Sequence, residues 1–179
     1  MLSMIGLGLL ALIVILLVAI TTRPDTFRVE RSTSIGAPAE VVFAQLNDLH
    51  RWSRWNPYEK MDPGMTVTHA GAPMGVGASY HYVSDKVGEG RMTVTESTPH
   101  ERVGVEARFI KPFAATNAIA FTVKPSAGGV TVTWEMRGDQ AFVGKAMSLF
   151  VKMDTMIGKD FEKGLADLKQ LSETEAKSA

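Results

Sequence analysis

QAFVGKAMSLFVKMDTMIGKDFEKGLADLKQLS, residues 140–172, decides how this chain folds. Its apolar residues recur at Phe142, Ala146, Leu149, Phe150, Met153, Ile157, Phe161, Leu165, Leu168 and Leu171. Steps of three and four put them on one stripe of an amphipathic helix. About 30 helical residues span roughly 45 Å at 1.5 Å per residue. Such a helix needs a broad surface on which to bury its stripe, and the middle of the chain is built to supply one.

That middle is strand and turn. Short alternating segments run at Met65 to His69, Ala78 to Val83, Arg91 to Ser97, Val103 to Phe109, Asn117 to Lys124 and Gly129 to Arg137. Turn residues punctuate them, as at Asp85 to Gly90, Thr98 to Glu101 and Pro125 to Gly129. In the last strand Val130, Val132, Trp134 and Met136 alternate with Thr131, Thr133, Glu135 and Arg137. Consecutive alternating strands make a sheet with one apolar and one polar face. An earlier strand, Phe27 to Ile35, ends at Gly36-Ala37-Pro38 and leads into a short helix through Val41, Phe43, Leu46 and Leu49. The predicted class is therefore α+β: a seven-stranded, curved antiparallel sheet around a long C-terminal helix.

At the other end, Leu2 to Ile20 is an almost unbroken apolar run with no charged side chain. Its length matches the hydrocarbon core of a bilayer and predicts an N-terminal transmembrane helix over residues 1–22. No basic residue precedes the run, and Val18-Ala19-Ile20-Thr21-Thr22 makes a poor signal-peptidase site, so the reading is an uncleaved single-pass anchor. Arg23, Arg28 and Arg31 follow it and favour a cytoplasmic soluble domain. The expected organisation is an anchor, a linker at 23–26, one domain at 27–172 and a polar, frayed tail at 173–179.

Composition and motifs narrow the chemistry. With 19 Lys and Arg against 19 Asp and Glu the chain is neutral, which argues against a nucleic-acid partner. No cysteine is present, so disulfides and thiolate chemistry are excluded. His50, His69, His81 and His100 show no metal-ligand spacing, and no metal or cofactor is expected. No Gly-x-Ser-x-Gly elbow occurs. Gly75, Gly77, Gly88 and Gly90 read as turn glycines rather than a dinucleotide loop. The acids Asp154, Asp160, Glu162 and Asp167 interleave with lysines, as on a solvated helix face. Of the polar strand residues His81, Arg91, Glu96, Glu106, Asn117 and Glu135, most face outward by parity, and no catalytic residue is assigned.

The residues expected to line an interior are Tyr80, Tyr82, Met92, Val94, Val105, Phe109, Phe121, Val132, Trp134, Met153, Ile157 and Phe161. Trp52 and Trp55, three positions apart, either plug one end of the core or wall a pocket mouth. A curved sheet clasping one helix leaves room for a ligand, and ligand sites are concave and mostly apolar.

Several stretches together resemble the SRPBCC superfamily, the START/pollen-allergen helix-grip proteins, and within it the polyketide cyclase/dehydrase-like proteins. They are Ala37 to Phe43, Trp52 to Pro57, Val76-Gly77-Ala78, Gly88 to Glu96 followed by Pro99, Gly129 to Trp134, and Gly158 to Lys169, in that order. The resemblance implies a helix-grip domain around a hydrophobic cavity that binds lipids, sterols, polyketides or similar small molecules. It implies no common catalytic set. The leading expectation is a membrane-tethered domain that binds or carries a hydrophobic small molecule. A cyclase or dehydratase and a filled-core interaction module are the rivals.

Overall fold

The computed structural model of the protein describes residues 2–140, 142–147, 149 and 153–178, except for the side chains of residues 2–5, 143, 147 and 153. Helix α1 (Leu2–Thr21) comes first, followed by strand β1 (Thr26–Ile35). Next are helix α2 (Ala39–Asn47), a 3-10 segment at Leu49–Arg54 and a five-residue helix α3 (Pro57–Met61). Six strands then follow in a meander: β2 (Thr66–Gly71), β3 (Ala78–Ser84), β4 (Gly88–Thr98), β5 (Arg102–Lys111), β6 (Ala115–Ser126) and β7 (Gly129–Asp139). Helices α4 (Phe142–Met147) and α5 (Met153–Ser178) close the chain.

All seven strands form one curved antiparallel sheet in the order β1-β7-β6-β5-β4-β3-β2. Neighbours in sequence pair through short turns, and β1 returns to cover the edge of β7 over the full Thr26↔Asp139 to Ile35↔Val130 register. The alternation read from sequence holds along the inner face. Val130, Val132, Trp134 and Met136 are all buried there, and Val103, Val105 and Ala107 do the same on β5. Met92 and Val94 keep the pattern on β4, but a bulge between Val94 and Glu96 breaks it. Glu96 is thereby turned to the exposed face, where it meets Arg102 at 2.8 Å.

Helix α5 lies across the concave face and packs most heavily on β1 and α2. Two glycines let it come close. A Cβ at Gly158 would fall 2.0 Å from the Arg31 guanidinium, and one at Gly164 would fall 2.7 Å from the Trp134 ring. Arg31 bridges β1 to α5 by bonds to Asp154 and Glu162 at 2.9 and 2.7 Å, which push its pKa up.

Three expectations are corrected. Within the predicted C-terminal helix Leu149 forms a turn, and the described helical residues fall into α4 and α5. The segment expected to fray continues α5 to Ser178, held by Glu173 on the Gly36 amide at 2.8 Å and by Glu175 on Gln45 and Arg54, both at 2.5 Å. The third correction concerns the N-terminus. The apolar run does form a helix, but among the described residues no helix is long and apolar enough to cross a membrane. This overturns the single-pass anchor and the membrane location read from Leu2 to Ile20. In α1 the apolar side chains from Leu7 to Val18 are exposed and Ile20 is buried.

Candidate functional site

The interior beneath α5 is divided into a filled half and a hollow half. In the filled half Phe121 and Trp55 are fully buried with Phe161, Leu165 and Leu168 of α5. Trp55 meets Phe121 edge-on at 5.8 Å between ring centroids and Trp134 at 5.7 Å. Trp134 stacks on Phe161 at 4.0 Å, the contact that Gly164 permits from above. The Trp52 and Trp55 indoles donate to the carbonyls of Leu46 and Gln45, at 3.0 and 3.2 Å. They thereby satisfy carbonyls that the end of α2 leaves open.

The hollow half is a cavity of about 290 Å³, near the lower end of the range typical of ligand pockets. Its floor is the inner sheet face: Tyr80 and Tyr82 of β3, Met92 of β4, Phe109 of β5, Asn117 and Ile119 of β6, Trp134 and Met136 of β7. Met156 and Ile157 of α5 roof it, Phe27 closes the β1 side, and Trp52 stands at the boundary with the filled half. The 3-10 segment and α3 add Asn56, Tyr58 and Glu59. Pro57 at the first position of α3 and the Asn56 carboxamide, which accepts from the Tyr58 amide at 3.1 Å, start this short helix. They aim its first turn at the cavity.

Of the residues singled out from sequence, Trp52, Tyr80, Tyr82, Met92, Phe109, Trp134 and Ile157 line the cavity together. Trp55, Val94, Val105, Phe121, Val132 and Phe161 lie instead in the close-packed core. The Met153 side chain lies outside the described residues. Asn56, Tyr58 and Glu59 carried no periodic signal, since they sit in a turn and a five-residue helix. Asn117 could be read inward only with the parity of β6 settled, and that parity follows from the burial of Ile119, Phe121 and Val123.

The polar groups are few and poorly partnered. Burial pushes the Glu59 carboxyl up to about 7, and no cation pairs with it among the described residues. Burial raises the Tyr80 phenol well above its usual range, the nearby Glu59 charge adds to this, and the Asn56 amide sits beside its hydroxyl. Burial lifts Tyr82 to about 12. Its hydroxyl lies over Gly90, where a Cβ would fall 2.6 Å away. Burial and the charge of Asp160 raise Tyr58. Asn117 Oδ1 and Trp134 Nε1 are buried without a hydrogen-bond partner. Among the described residues no group of three or more His, Cys, Asp or Glu could hold a metal ion. The arrangement can enclose an apolar body, offer a few polar contacts and move a proton at one carboxyl.

Residues 26–173 match the model of the family described as polyketide cyclase/dehydrase and lipid transport. No curated protein matches. Among solved structures, a protein of Chromobacterium violaceum is 19% identical with a TM-score of 0.58, over 84% of this chain and 99% of its own. The di-domain ARO/CYC BexL of the BE-7585A biosynthetic pathway is 14% identical with a TM-score of 0.63, over 88% of this chain and 53% of that one. The Aha1 dimer of Colwellia psychrerythraea is 14% identical with a TM-score of 0.53, over 82% and 96%. At these identities the likeness is one of fold.

Proposed function

The chain belongs to the polyketide cyclase/dehydrase and lipid transport family, and from that premise we propose that it binds an apolar small molecule in the cavity beneath α5. The observation that carries this is the contrast inside one interior. The half around Phe121 and Phe161 is packed shut, while the half around Tyr80, Met92 and Phe109 stays open although large apolar side chains surround it. A protein with no ligand to house gains free energy by closing such a space, because each missing contact forfeits dispersion and transfer energy. The lining is mostly apolar, with Met65, Met92, Met136 and Met156 to adapt to shape.

The neutral dye N-phenyl-1-naphthylamine tests it. Its emission rises on binding to the native chain, and Ile157→Trp, which fills the roof, removes that rise while the circular dichroism stays native. Equal emission from the native and filled chains overturns the reading.

Glu59 favours a second reading, acid–base catalysis of the cyclase or dehydratase kind. A carboxyl titrating near neutrality, set among phenols in an apolar site, has the protonation behaviour such chemistry needs. Structures of aromatase/cyclase proteins share the fold. Turnover of a tethered poly-β-ketone thioester that Glu59→Gln abolishes, with dye binding intact, marks this function. Undiminished turnover in that variant removes Glu59 from the role.

A further inference from the structure

The cavity carries a charge signature that its volume does not reveal. Its lining holds one carboxyl, Glu59, and among the described residues no Lys, Arg or His. Among the described residues Glu59 has no ion-pair or hydrogen-bond partner, whereas acids elsewhere on the surface, such as Glu162, Asp167 and Glu175, each meet a cation. Aromatic rings share the lining with it, Tyr80 and Trp52 in edge contact at 6.0 Å and Tyr80 and Tyr82 at 6.1 Å, and its charge acts on the Tyr80 phenol.

These features all favour positive charge. An ammonium group entering the site gains the carboxylate and the negative faces of the rings together, in surroundings that screen neither well. A carboxylate entering it meets Glu59 with no cation to compensate, and buried like charges are strongly disfavoured. Resting on the reading of this cavity as a site for an apolar molecule, we infer that the preferred ligand is an apolar molecule bearing one protonated amine, seated with its nitrogen at Glu59. Fatty acids and other anionic lipids are selected against.

Three soluble compounds with one skeleton test this by titration calorimetry on the full chain at pH 8: 4-phenylbutylamine, 4-phenylbutan-1-ol and 4-phenylbutyrate. The amine is expected to bind about tenfold more tightly than the alcohol, with no measurable binding of the acid. In Glu59→Gln the amine-to-alcohol ratio falls to about two or less, and Glu59→Asp, which keeps the charge, restores most of it. Equal binding of amine, alcohol and acid overturns the amine preference and leaves the apolar site standing. A tenfold preference that persists in Glu59→Gln overturns the assignment to Glu59. Failure of all three compounds to bind overturns both the amine preference and the apolar-site reading beneath it.

Discussion

Glu59 holds its proton in the folded chain up to about pH 7, because burial penalises the carboxylate, while an unfolded glutamate releases it near 4.5. Between those values the unfolded state binds fewer protons, so this residue makes stability fall as pH rises. Glu59→Gln removes the titration. Melting curves at pH 5 and pH 8 should show the native chain losing roughly 2–4 °C relative to the variant across that interval, about 1 kcal/mol once partial exposure is discounted. An identical pH response in both chains contradicts the burial of this carboxyl. Gly164 is a second residue whose role is a matter of contact. Alanine there gains about 1 kcal/mol of helix propensity, yet its Cβ would fall 2.7 Å from the Trp134 ring and 2.9 Å from Pro57. Neither neighbour yields easily, so overpacking of about 1–3 kcal/mol wins and Gly164→Ala unfolds at lower urea. A raised midpoint sinks that expectation. Glu59 was not legible in the sequence, because no periodicity exists in five residues.

Helix α5 shows how an element outgrows its sequence pattern. The leucine stripe ends at Leu171, and Glu173 to Ser178 are polar apart from Ala176, yet the helix continues. Tertiary partners extend it. The fully buried Gln45 donates its amide to Glu175, and that carboxylate also takes Arg54. Glu175→Ala leaves the Gln45 amide buried without an acceptor, a loss of about 1–3 kcal/mol. Urea titration should register it, with Glu175→Gln recovering part of the loss; an unchanged midpoint for the alanine variant refutes the cap. The strands behave the opposite way. Their ends lie within a few residues of the alternation read from sequence, since period two and turn chemistry are local properties. Glu96 departs from that rule because a bulge is a property of two paired strands, invisible in either one alone.

Across the whole molecule, one sheet and one helix enclose two unlike interiors. The same substitution should therefore cost differently in each. Phe121→Ala, in the filled half, opens a cavity among Trp52, Trp55 and Trp134 and should cost about 3–5 kcal/mol. Phe109→Ala, at the edge of the existing cavity, loses fewer contacts and should cost less than half as much. Equal losses by chemical denaturation would mean that the two halves are packed alike. The strand count, the antiparallel meander, the inward face of most strands and the helix that covers them were all legible in the linear pattern of residues. Each of these follows from local periodicity and turn residues. The same pattern also marked out Trp52, Tyr80, Tyr82, Met92, Phe109, Trp134 and Ile157, because any apolar inward residue is a candidate for core and cavity alike. Which of those two fates each residue meets depends on how the assembled elements pack. Sheet curvature and the seating of α3 set where packing closes on Phe121 and where it stops short beside Glu59, and neither quantity is encoded within any one segment.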